Sequence, residues 1–166
     1  MKNVFKWKAV FIAVLLMSAG FARVGYAQQK FEKAAFYAVM DTGDVTALND
    51  QIEIVKGSSQ TNKEGYEGAL LMRKAGKVHG PKKKLGLFKE GRIKLETAIM
   101  ADTDNTELRF LRLAIEENAP KIVKYRGDIE KDKLIIKKNF KTLSQAVQHA
   151  IIDYCKKSKV LHAEDF

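Results

Sequence analysis

Seven basic side chains, Lys77, Lys82, Lys83, Lys84, Lys89, Arg92 and Lys94, fall between positions 77 and 94 against a single acid, Glu90. This is the strongest concentration of charge in the chain. Such a patch draws phosphate-bearing polymers, anionic lipid head groups or acidic protein surfaces, because Coulomb attraction raises their local concentration and association rate. Lys82, Lys83, Lys84, Lys89 and Arg92 are therefore the candidate surface for an anionic ligand or partner. The plainer role for the same residues is a solvated, solubilising face. Nucleic acid is disfavoured, since these lysines lack the aromatic platform on which bases stack.

The other reactive residue types do not assemble into a recognisable site. Gly80, Gly86 and Gly91 lack the spacing of a phosphate loop, no lysine and hydroxyl pair follows them, and no strand precedes them. His79, His149 and His162 are scattered, and His149 with Asp153 four residues later offers two metal ligands where a stable site needs three or four. The acid pairs Asp102/Asp104 and Glu116/Glu117 are expected at helix ends, capping or facing water, without the partner that marks a general acid or base. Ser144 near His149 has no third member. Cys155, the sole cysteine, cannot form an internal disulfide and is expected to be a half-buried thiol, with an intermolecular disulfide as its alternative. No catalytic constellation, cofactor site or metal site emerges, which points away from an enzyme.

The N-terminus predicts where the protein works. Lys2, Lys6 and Lys8 flank an apolar run from Ala9 to Met17, and small residues end at Gly25 and Ala27, the three regions of a secretory signal peptide in order. Cleavage is expected before Gln28, which makes residues 1–27 the signal and 28–166 a single helical domain. The run is shorter than the ~20 residues that span a bilayer, so no stable membrane insertion is expected after cleavage. Removing Lys2, Lys6, Lys8 and Arg23 and no acid lowers the formal net charge from +10 to +6. The expected location is periplasmic or extracellular.

The elements that must position these residues are helices. Phe31, Ala34, Ala35, Ala38 and Val39 predict one buried face, ended by Gly43; Asp44 then caps a second helix striped by Val45, Leu48, Ile52 and Val55. Thr61 to Glu64 reads as a capping box opening a third helix with an unusually small face of Gly65, Gly68, Ala69 and Ala75. Glycine in a helix interior costs about 0.5 to 1 kcal/mol relative to alanine, so this face predicts a close neighbour, with Gly91 or Ala98 opposite Gly68. Pro81 is expected to start a long fourth helix striped by Leu85, Phe88, Gly91, Leu95, Ala98 and Ile99. Asp104 to Glu107 reads as a second capping box before a helix carrying Leu108, Leu111, Ala114 and Ile115, which Pro120 ends. A short helix through Tyr125, one carrying Ile129, Leu134, Ile135 and Ile136, and a last one packing through Leu143, Val147, Ala150, Ile151 and Tyr154 after a third capping box at Thr142 to Gln145 complete the chain. No stretch alternates with period two between turn signals, so the fold class is all-α, about seven helices, with no sheet.

From Gly65 to Asn105 the chain resembles a tetratricopeptide repeat. Leu95-Glu96-Thr97-Ala98-Ile99-Met100-Ala101-Asp102-Thr103-Asp104-Asn105 is similar to that family's second helix and exit turn, with Gly68, Gly91 and Ala98 at the small positions and Leu71 and Leu95 at the large ones. Thr103 replaces the usual turn proline, Glu64 and Glu67 stand at early large positions, and the connecting loop is long. The resemblance implies antiparallel helical hairpins stacked side by side. The exported N-terminus ending in Ala27-Gln28-Gln29 is also similar to exported proteins of Bacteroidetes-type bacteria. Together these features predict an exported helical scaffold or adaptor that binds a protein or peptide. The alternative is an envelope protein that binds anionic lipid or polysaccharide through residues 77–94.

Overall fold

The computed structural model describes residues 30–166; the expected signal peptide, residues 1–27, lies outside them. The fold is all-α. Among the described residues seven α-helices follow one another: α1 Lys33–Thr42, α2 Val45–Gly57, α3 Lys63–Ala75, α4 Pro81–Ala101, α5 Thr106–Asn118, α6 Ile129–Asn139 and α7 Gln145–Cys155. Short 3-10 turns occur at Lys121–Val123, Phe140–Thr142 and Ala163–Asp165, and there is no strand among the described residues. The turn before α6 is all that forms of the expected short helix through Tyr125, because Lys124 turns left-handed at φ 48°.

Local chemistry sets several boundaries as expected. Gly43 ends α1 in the left-handed conformation at φ 68°, and the Asp44 carboxylate accepts from the Ala47 amide at 2.8 Å to start α2. Two residues thus reverse the chain. Pro81 opens α4, where its missing N–H leaves no helical bond unmade. The three capping boxes do not form. Asn62 and Ser144 cap α3 and α7 without a side-chain bond, and at α5 it is Asn105, not Asp104, that accepts from Leu108 N, at 3.0 Å. The glutamates of the first two boxes have other partners: Glu64 pairs with Lys94, and Glu107 is drawn inward to Tyr37 and Lys33.

The α3–α4 hairpin is the most extensive helix pairing, and its glycines explain why. A Cβ placed on Gly68 would fall 2.6 Å from the Gly91 carbonyl oxygen, and one on Gly91 would fall 2.5 Å from that of Gly68. The two backbones touch where no side chain fits. At Gly65 a Cβ would meet Leu108 at 2.6 Å, so the same small face also admits α5.

Two apolar clusters share α5. Leu108, Leu111 and Ile115 pack with Phe36, Leu48, Leu70 and Leu95, while Phe110 and Leu113 pack with Ile136, Val147, Ile151 and Leu161. In α1 the expected face is corrected: Ala34, Ala35 and Ala38 are exposed, and Phe36 is fully buried. The rings of Phe36 and Phe31 each lie 5.1 Å from that of Tyr66, and burying aromatic rings outweighs burying methyl groups. Leu134, expected in the core, is 69% exposed, and Ile136 takes the buried position of α6. Finally α7 returns to pack against α1 as well as α5. The first and last helices of the described residues meet, and the stack curls around a groove.

Candidate binding groove

Four helices each present one stripe of side chains to this groove. The stripes include 34, 37, 38 and 41 on α1; 81, 84, 85, 88, 89 and 92 on α4; 111, 114, 115 and 118 on α5; and 146, 149, 150 and 153 on α7, with Met72, Arg73 and Ala75 of α3 also lining the space. Spacings of three and four residues put each set on a single face. The space they enclose is about 1500 Å³, beyond the ~300–1,000 Å³ of small-molecule sites. A helix about 11 Å across with a 5.4 Å pitch fills roughly 500 Å³ per turn. By volume alone this corresponds to about three turns.

The floor is apolar, with Met72, Phe110, Leu111 and Ile115, and the walls are partly small, with Ala34 and Ala38 on α1 and Ala146 and Ala150 on α7. At the rim Ile122 is 87% exposed and Leu85 48%. Tyr37 adds a polar handle: its hydroxyl donates to Glu107 at 3.0 Å, and burial together with that carboxylate raises the phenol well above its ordinary pKa. It stays a neutral donor at physiological pH.

The charges at the rim differ in how they are committed. Arg73 donates to the Met40 and Asp41 carbonyls at 2.7 and 2.6 Å, closing the C-terminus of α1, and Lys156 pairs with Asp153 at 2.7 Å. Lys157 pairs with Asp41. Arg92 stacks its guanidinium 4.9 Å from the centre of the Tyr125 ring. The side chains of Lys84 and Lys89, by contrast, have no ionic or hydrogen-bonded partner among the described residues. Of the five candidate residues, then, Lys84, Lys89 and Arg92 line the groove, while Lys82 and Lys83 are exposed outside it. Lys94 leaves the basic stretch altogether through its pairing with Glu64 and Glu67.

Behind the α4 wall lies a buried ionic cluster that sequence reasoning missed. Asp132 of α6, fully buried, accepts from Arg109 Nη1 at 2.9 Å and from Nε and Nη2 of Arg112, both at 2.7 Å. Arg112 also donates to Glu96 at 2.9 Å, and Glu96 accepts from the Tyr125 hydroxyl. Because Tyr125 also meets the Phe88 ring edge-on at 5.7 Å, the groove wall and the cluster share one side chain. Glu116, expected at the surface, is 1% exposed and accepts from the Asp128 amide at 3.1 Å. Burial raises its pKa above the ordinary value, with the Asp128 and Asp132 charges adding to the rise and Arg112 and the amide bond opposing it. The signal for this cluster was present in α5, whose apolar residues fall on two faces, so that arginines among them had to be paired.

The remaining sequence candidates stay apart. Cys155 is half-buried, and burial pushes its thiol pKa up. His149 lies on the groove wall near Asp153, and no group of three metal-ligating side chains occurs among the described residues. No helix among them is long and apolar enough to cross a membrane. No family model matches the chain, and neither a curated protein nor a solved structure matches it.

Proposed function

We propose that this chain is an exported, non-catalytic helical binding protein that holds a segment of another protein in the groove between α1, α4, α5 and α7. The observation that carries the reading is the groove itself: about 1500 Å³ framed by four helix stripes, apolar at its floor and with Ile122 and Leu85 exposed at its rim. Grooves of this kind take an amphipathic helix by its apolar face. Export rests on the signal-like composition of residues 1–27.

A photo-reactive residue placed at Phe88 or Ala150 should crosslink a protein in the envelope fraction, and one placed at exposed Ile93, outside the groove, should not. Equal crosslinking from Ile93 would remove the groove from the account. The second reading, attraction of anionic lipid or polysaccharide, is favoured by the exposure of Lys82 and Lys83. It predicts that Lys82→Gln, Lys83→Gln, Lys84→Gln abolishes binding to phosphatidylglycerol vesicles and that 0.5 M salt does the same, as screening over about one Debye length requires. A groove-held segment, anchored by apolar contacts, should be weakened by these changes but not lost.

A further inference from the structure

We infer that the groove's occupant is an acidic amphipathic helix whose carboxylates meet Lys84 and Lys89; the inference rests on the groove being a protein-binding site. The two acids lining the groove, Asp41 and Asp153, are each neutralised by a neighbouring lysine, Lys157 and Lys156. Of the lining cations without a carboxylate partner, Arg73 of α3 is committed to the Met40 and Asp41 carbonyls and Arg92 to the Tyr125 ring, which leaves the ammonium groups of Lys84 and Lys89, both on α4, uncommitted. An apolar helix seated there therefore faces an excess of positive charge whose uncommitted part lies on the α4 side. Five residues apart on α4, these lysines are separated by about 7.5 Å along the helix axis and about 140° around it, so they stand at the two edges of the α4 stripe. Two carboxylates on the α4-facing side of a partner helix, one toward each edge, meet them. A single acyl chain carries one anionic end and would leave the second lysine unmet.

The walls agree with a helical occupant. Ala34 and Ala38 on α1, and Ala146 and Ala150 on α7, are each one turn apart and leave room for a helix axis to approach within the 8–10 Å of packed helices. Larger side chains at these positions would narrow the groove.

The test is selection of a displayed library of 18-residue helical peptides on the purified protein, in parallel with the Lys84→Glu, Lys89→Glu variant and with the groove-blocking variants Ala34→Trp and Ala38→Trp. Ala34 and Ala38 are exposed, so the tryptophans obstruct the groove without entering the core. Circular dichroism checks that each variant folds. Peptides selected on the unchanged protein should carry apolar residues at helical spacing with Glu or Asp along one margin. Replacing those acids by Gln should weaken binding at least tenfold, and the charge-reversed variant should select Lys or Arg there instead. Groove-dependent peptides without acidic enrichment, or with affinity indifferent to the lysine reversal, would overturn the acidic helix while leaving the groove a protein site. Peptides indifferent to both tryptophans would overturn the groove reading as well. So would a groove that takes palmitate and no peptide, or a dimer in sedimentation that Ala38→Trp dissociates.

Discussion

Asp132 is a fully buried carboxylate that meets two cations at once. Its two oxygens hold two buried guanidinium groups, and the pairing is tolerable in the interior only because each cation is met. Asp132→Asn keeps the shape and removes the charge, leaving Arg109 and Arg112 under-compensated. We expect a loss of about 3–5 kcal/mol in urea unfolding; a loss below about 1 kcal/mol would mean that water reaches the cluster. Glu116 lies beside it with the opposite balance. Its folded-state pKa is raised, so the native state binds more protons than the unfolded one, and stability falls as pH rises from the ordinary glutamate value through the raised one. Glu116→Gln keeps an oxygen to accept from the Asp128 amide and cannot ionise. The variant should therefore gain on the unchanged protein between pH 4 and pH 7, read as a rising difference in Tm. The burial of Glu116 was not legible in the sequence, where Glu116 and Glu117 were indistinguishable acids before a helix end. Which of two adjacent acids turns inward depends on the helix that arrives opposite, here α6.

At the scale of elements the sequence was far more legible, because glycine, proline and apolar spacing act locally. The Gly68 and Gly91 contact was expected from the small face of α3 alone, since two interior glycines need an offsetting approach. It gives a sharp expectation. Gly68→Ala should raise helix propensity yet destabilise the protein by about 1–3 kcal/mol, because the added methyl meets backbone atoms of α4 that cannot move independently. Gly86→Ala, on the same α4 but with open space around it, should stabilise by about 0.5–1 kcal/mol. Thermal melts of the two variants with opposite signs would check both, and a stabilised Gly68→Ala would separate the helices. The capping boxes failed for a different reason. A glutamate three residues past a capping side chain is a local pattern, but Lys94 and Tyr37 reach Glu64 and Glu107 from distant parts of the chain. The five-residue basic surface also divided at this scale, because a helix turns by about 100° per residue and sends Lys82 and Lys83 away from the face that carries Lys84.

For the whole molecule, the groove exists because α7 closes on α1, a contact between the ends of the described chain that no local pattern announces. The same closure bears on how the protein unfolds. Its two apolar clusters are spatially distinct, yet α5 buries Leu108 and Leu111 in one and Phe110 and Leu113 in the other, and Tyr37 of α1 packs against both. The Asp132 cluster further pins α6 to α5. Loss of either cluster would strip one face of α5 and expose the large side chains that the other cluster needs in place. Residues 30–166 should therefore unfold in one step. Leu48→Ala in the first cluster and Ile151→Ala in the second, both fully buried, should each cost about 2–5 kcal/mol. Each should lower the midpoint of the same urea transition without changing its slope, since the surface exposed on unfolding stays the same. If Ile151→Ala instead splits the helical signal into two transitions while Leu48→Ala does not, α6 and α7 form a separable unit. The groove would then open by hinging at α5, with its α7 wall free to leave α1.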